Sequence, residues 1–180
     1  GSGVRATLTG QDGNTQEKIF DRVLVSVGRK PNSEIPGLEK TRVQVGPRGF
    51  IQVNRQLQTD DPSIYAIGDV VPAPMLAHVA SKEGEIAAEH MAGKAGRPRL
   101  DPLGIPSTIY CEPQLGSFGY TEKKAREAGI AFEKAVCTYR AAGKSVAVGR
   151  PEGLVKILVD KESREIIGTH IVGAEATELI

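Results

Sequence analysis

"SIYAIGDV", Ser63 to Val70, runs from apolar residues straight into Gly68-Asp69. Ile64 to Ile67 reads as a short apolar strand buried on both faces, the kind found in parallel sheets. In an open α/β sheet, ligands sit outside the carboxyl ends of the strands. Gly68 has no Cβ, so a ligand can approach its backbone, and Asp69 offers an acceptor for hydroxyl groups. An ordinary strand-end turn can be written the same way, so the flanking residues must separate the two readings.

"PMLAHVASKEGEIAAEHMAGKAG" (74–96) predicts a helix. Leu76, Val79, Ala80, Ile86, Ala87 and Met91 fall on or near one face, and Gly93 and Gly96 are available to stop it. Its start presents N–H groups from about Met75 to His78, at the positive end of the helix dipole. A hydroxyl-rich, partly anionic ligand suits a carboxylate beside such a helix start. FAD fits: its ribitol hydroxyls can meet Asp69, and its pyrimidine carbonyl can meet the helix N-terminus.

Upstream, Val4, Ala6 and Leu8 alternate with polar residues, as in a strand with one wet face, and Gly10–Asn14 supplies a turn. Val23–Val27 is nearly continuous apolar sequence and predicts a second strand buried on both faces, stopped at Gly28 and by Pro31-Asn32. Short strand-like pieces follow around Val43–Val45 and Phe50–Val53. Downstream, "RPRLDPLGIP" (97–106) has the composition of an interdomain linker. Beyond it, "STIYCEPQLGSFGY" suggests two strands interrupted at Glu112-Pro113. Thr121 is placed to cap a helix "EKKAREA", and Gly129 to end it. "GLVKILVD" and "EIIGTHIVG", separated by "KESR", predict a hairpin. "AEATELI" predicts one or two helical turns.

The composition is that of a soluble globular chain: 180 residues, 39% hydrophobic, 25% charged, net charge +1. That balance of charge gives no support to a nucleic-acid partner. No apolar run approaches a membrane span, and no signal peptide is visible. Cys111 and Cys137 form no metal or CxxC spacing and read as reduced, buried thiols of a cytoplasmic protein. His90 and His170 lack ligand-spaced partners. The His78 ring reads as structural, its backbone N–H being the functional group. Gly1-Ser2-Gly3 is either a cloning remnant or a natural loop.

Thr59, followed nine residues later by Gly68-Asp69 at the end of "QTDDPSIYAIGDV", resembles the second flavin signature of the flavin-dependent pyridine nucleotide–disulfide oxidoreductases. "LVSVGRKPN", "GFIQVNRQLQT", "IPSTIYCEPQLGSFGYTE" and "GTHIVGAEATELI" resemble the same family, so the likeness covers nearly the whole chain. Met-Leu-Ala-His (75–78) followed by Glu83-Gly84 is similar to the branch that oxidises dihydrolipoyl groups, with mercuric and glutathione-type reductases as the alternative. The resemblance implies an α/β remnant of FAD- and NAD-binding domains followed by an α+β dimerisation domain, truncated at both ends relative to the family. Residues 1–29 would be the tail of the NAD domain, 30–99 the second segment of the FAD domain, and 100–180 an incomplete interface domain that forms a homodimer.

It further implies FAD contacts at Gly68, Asp69, Met75, Leu76, Ala77 and His78, and NAD contacts at Ser26, Val27, Gly28 and Arg29. Arg29 reads equally as a cofactor phosphate contact or a surface residue. The parent would pass electrons from dihydrolipoyl groups, carried on the acyltransferase core of a 2-oxo acid dehydrogenase complex, through a redox disulfide and FAD to NAD. Neither GxGxxG motif, the redox-active CxxxxC nor the family's His-Pro…Glu segment occurs in these 180 residues. The chain alone is therefore expected to be inactive, with no catalytic residue of its own. The reading from another class is a stand-alone module that dimerises through 100–180 and binds no cofactor.

Overall fold

Val4–Thr9 forms β1 and Thr15–Phe20 forms β2, an antiparallel ribbon registered from Val4↔Phe20 to Thr9↔Thr15. Asp12 holds its turn, accepting the Asn14 backbone N–H at 3.1 Å and the Asn14 amide at 2.7 Å. The structure is a computed structural model that describes residues 3–94 and 100–180. It divides into two units, Gly1–Lys30 and Pro31–Ile180. β2 has a polar sequence with no alternation, so pairing with β1 and not pattern makes it a strand. Both faces of the ribbon are largely exposed, with Ala6 the one half-buried residue of β1.

Val23–Val27, expected as a buried strand, lies outside any strand. Leu24 is 90% and Val27 93% exposed. A strand buried on both faces needs partners at both edges and a layer on each side, and the unit Gly1–Lys30 supplies neither.

The first half of the larger unit is built from turns and single bridges, Val45↔Ile51 and Gln58↔Tyr65. Its core is Val43, Ile51, Ala66 and Val71. Ile64–Ile67 was expected as a buried strand, but it contributes one bridge, at Tyr65, and only Ala66 is buried. The segment bonds to turns instead of to a ladder: Ala66 N–H donates to the Leu57 carbonyl at 3.0 Å. Thr59, buried, accepts the Asp61 N–H and sits 3.0 Å from the Ile64 carbonyl, so the signature threonine builds the turn into this segment.

Ala77–Met91 forms α1, shorter than the expected 74–96. Leu76 is the extended cap residue before it, and Met91, at the far end of the expected apolar face, is exposed. Ile86 and Ala87 pack on Leu57, with Val53, Tyr65 and Leu100 around them. Gly93, at φ +68°, ends the helix as expected. Gly96, residues 97–99 of the linker, the boundary at 99/100 and Gly1-Ser2 lie outside the described residues.

The second half is a five-stranded antiparallel sheet of order β3-β4-β7-β6-β5. Its strands are β3 (Ser107–Ile109), β4 (Leu115–Gly119), β5 (Phe132–Thr138), β6 (Gly153–Asp160) and β7 (Ile166–Gly173). Thr121 caps α2 (Glu122–Glu127) by accepting the Lys124 N–H, and Gly129, at φ +70°, follows its end. α3 (Gly143–Ala147) and α4 (Ala176–Leu179) complete the unit. Tyr139, Ile171 and Ala176 form its core cluster. Gly153 faces Gly173 across β6 and β7 because Tyr139 lies over both; a Cβ on Gly173 would meet its ring at 2.8 Å. Both cysteines are free, but neither is buried as expected: Cys137 lies on the edge strand β5 and Cys111 in the bend after β3. Among the described residues no helix is long and apolar enough to cross a membrane.

Candidate functional site

Gly68–Val70 folds as a single 3-10 turn, entered from extended Ile67, with Gly68 at φ +74°. That backbone is strained for any residue with a Cβ. The turn lies against α1. A Cβ on Gly68 would stand 3.2 Å from the Ala80 Cβ, and a Cβ on Gly84 would stand 3.5 Å from Ile67 Cδ1. Between these two small residues, the Glu83 carboxylate reaches the turn and accepts the Gly68 N–H at 2.8 Å. Residues 80, 83 and 84 share one helix face, and Glu83 is buried, with 1% of its surface exposed. Asp69, half-buried, occupies the middle of the turn. Ahead of it, the Asp61 carboxyl is held below the usual range, first by the Ser63 hydroxyl and then by backbone N–H groups of Ser63 and Arg42.

The start of α1 differs in one respect from the expected row of amides at Met75–His78. The Leu76 N–H donates to the Pro74 carbonyl at 2.8 Å, so it is not an open donor. The N–H groups that begin the helix without an intrahelical acceptor are those of Ala77, His78 and Val79. No side chain caps them and no acidic residue lies in the first turn. Met75 is half-buried, while Ala77 and His78 are exposed. The His78 ring is occupied elsewhere. Its Nε2 lies 2.9 Å from the Pro106 carbonyl, and because a carbonyl only accepts, Nε2 carries the proton. A cavity of about 230 Å³ opens beside this corner, lined by Pro72, Pro74, Val79, Glu83, Leu100 and Ile105.

The expected residues thus divide. Gly68, Asp69, Met75, Leu76, Ala77 and His78 all lie in one unit, which brings a carboxylate-bearing turn against the helix that begins with the Ala77 and His78 amides. That donor set suits a flavin. Ser26, Val27, Gly28 and Arg29 lie in the other unit, all exposed. Gly28 takes φ +137°, and nothing lies within 4 Å of where a Cβ would be, which leaves its backbone open to close approach. Among the described residues no cluster of three His, Cys, Asp or Glu side chains could hold a metal.

The sequence marks Glu83 only as part of the Glu83-Gly84 resemblance; its burial and its bond to Gly68 escaped a reading that scored apolar positions for the core. The signal was its place four residues after Val79 and three before Ile86, on the buried face.

Two family models match the chain: "Pyridine nucleotide-disulphide oxidoreductase" over residues 1–84, and the dimerisation domain of the same family over residues 105–180. Curated relatives include a dihydrolipoyl dehydrogenase of Thermus scotoductus, 43% identical over 99% of this chain and 38% of that protein. Another, from Bacillus subtilis, is 41% identical over 92% of this chain and 35% of the relative. The chain therefore spans little more than a third of such relatives. Among solved structures, LpdA of Mycobacterium tuberculosis superposes at a TM-score of 0.85 with 28% identity, covering all of this chain and 38% of that one. A hypochlorous-acid-induced flavoprotein disulfide reductase of Escherichia coli, 23% identical with a TM-score of 0.83 over 91% of this chain and 38% of its own, shares the fold.

Proposed function

This chain belongs to the pyridine nucleotide-disulphide oxidoreductases, and we propose that it is part of a dihydrolipoamide dehydrogenase. The protein as a whole would oxidise dihydrolipoyl groups on the acyltransferase core of a 2-oxo acid dehydrogenase complex. The relatives' printed name supports the substrate. The observation that carries the reading is the packing of the Gly68–Asp69 turn against the uncapped start of α1.

FAD, when bound, supplies the redox centre between dithiol and NAD. The residues here hold and orient it. Asp69 accepts hydrogen bonds from its hydroxyls. The Ala77 and His78 N–H groups, at the positive end of α1, would hold a carbonyl oxygen of the bound flavin and favour negative charge there. Met75 and Leu76, half-buried just before α1, would complete the contact. Gly28 leaves room for NAD beside Ser26, Val27 and Arg29. Residues 100–180 form a homodimer contact, supported by the dimerisation-domain match. Free, exposed thiols suit a reducing cytoplasm.

The test is bound flavin per subunit in the full-length protein, with NAD reduction by dihydrolipoamide as the activity. Asp69→Ala removes charge-assisted hydrogen bonds worth about 1.5–3 kcal/mol each and is expected to lose most of the flavin. His78→Ala keeps the backbone N–H and loses only the tie to Pro106, so it is expected to retain most of it. Equal loss in both would move the His78 ring into the site. The 180-residue polypeptide alone, without a GxGxxG or a CxxxxC, is expected to be colourless and inactive. A yellow preparation with stoichiometric flavin would overturn that.

A further inference from the structure

We infer that Glu83 is a positioning residue for the flavin: its buried carboxylate holds the Gly68 N–H and so sets the direction in which Asp69 meets the cofactor. The inference rests on the reading of Gly68–Asp69 as the flavin turn.

Three observations converge on it. Glu83 is 1% exposed on a helix whose other buried residues are Val79, Ile86 and Ala87. A carboxylate kept from water costs free energy unless it is hydrogen-bonded, and Glu83 accepts the Gly68 N–H at 2.8 Å. The second observation is the donor it accepts from. At φ +74° the Gly68 amide stands outside any strand ladder, and the carboxylate is its partner. The third is the space made for the contact. Ala80 and Gly84 flank Glu83 on the same face, and a Cβ added to Gly68 would stand only 3.2 Å from the Ala80 Cβ. A larger residue at 80 would push the turn away. The hydrogen bond therefore fixes the residue immediately before Asp69, at the one point where the turn meets the helix.

A carboxylate that merely filled the core would matter to stability alone. A positioning residue must also change the bound flavin. The experiment uses the full-length holoprotein and compares Glu83→Ala, Glu83→Gln and Glu83→Asp with Ile86→Ala, a core substitution away from the turn. The readouts are the FAD dissociation constant after reconstitution, the visible flavin spectrum and the thermal midpoint.

Glu83→Ala is expected to weaken FAD binding on the order of tenfold and to shift the spectrum. Glu83→Gln keeps an acceptor of the same reach and is expected to stay within about threefold of wild type. Glu83→Asp, one methylene shorter, is expected to match the alanine variant, and decides the matter if alanine does not fold. Ile86→Ala is expected to lower the midpoint and leave affinity and spectrum alone. Unchanged flavin binding and spectrum in folded Glu83→Ala or Glu83→Asp would overturn the inference, as would equal flavin loss in Ile86→Ala. A wild-type protein that binds no flavin would instead overturn the flavin reading itself, and this inference with it.

Discussion

Val23–Val27 and β6 are both apolar runs of strand length, and they meet opposite fates. β6 is paired along both edges, by β5 and β7, and its Leu158 is fully buried. Val23–Val27 forms no strand pairing among the described residues of its unit, and Leu24 stands 90% exposed. The difference teaches that an apolar run encodes a demand for cover, while the strand itself forms only where neighbours supply hydrogen bonds and a packed face. The sheet of residues 107–173 contains its own neighbours. Residues 23–27 require others.

The largest expected effect tests that contrast directly. In the 180-residue chain, Leu158→Ala is expected to cost about 2–5 kcal/mol and Leu24→Ala no more than about 0.5 kcal/mol, both by denaturant unfolding. In the full-length protein Leu24→Ala is expected to rise into the range of its buried counterpart, because cover becomes available. An unchanged small value there would break the comparison.

A pair of glycines sharpens it on a smaller scale. Gly173, at φ +143°, has the Tyr139 ring where a Cβ would go, whereas Gly28, at φ +137°, has open space. Gly173→Ala combines backbone strain with overpacking and is expected to cost about 2–4 kcal/mol. Gly28→Ala carries the strain alone, about 1–2 kcal/mol. Equal costs would mean that the ring over β6 and β7 yields freely.

The smallest effect is electrostatic. Glu122, at the start of α2, meets Lys156 of β6 at 3.1 Å and Lys134 of β5 at 3.4 Å. Its carboxyl is held below the usual range, first by the hydrogen bond from Lys156. A carboxyl with a depressed folded-state pKa contributes stability above its unfolded value and loses it as pH falls through the folded one. The wild-type advantage over Glu122→Gln is thus expected to be present at neutral pH and to fade below about pH 4.5. The pair is solvated, so salt is expected to narrow it too. A difference in thermal midpoint that persists at pH 3 would refute the assignment.

How far the sequence could be read follows from the same contrast. The β6–β7 hairpin, the Thr121 cap and the Gly129 stop are local patterns, written within a few residues and kept by the fold. So was the gathering of Gly68 and Asp69 with the start of α1. β5 was not legible: "FEKAVCT" carries no alternation because it is an edge strand, exposed along most of its length. β2 was hidden for the same reason. The buried role of Glu83 was hidden because its partner, Gly68, lies fifteen residues away, and the need for a buried acceptor arises only once the turn has folded onto α1. The exposed thiols follow from β5 and the bend after β3, neither visible as surface in composition.

The rims of the five-stranded sheet carry a consequence for handling the protein. Among the described residues β3 and β5 each pair on one side only, and an unpaired strand rim is a template for another chain, the first step of aggregation. β3 is three residues long, too short to recruit much. β5 is seven residues long, with Val136 exposed, yet Glu133 and Lys134 put charges along it. These charges act as gatekeepers. Replacing Glu133 and Lys134 by valine would leave "FVVAVCT", an uncharged segment of high β-propensity. That variant is expected to precipitate on concentration where the native sequence stays dispersed.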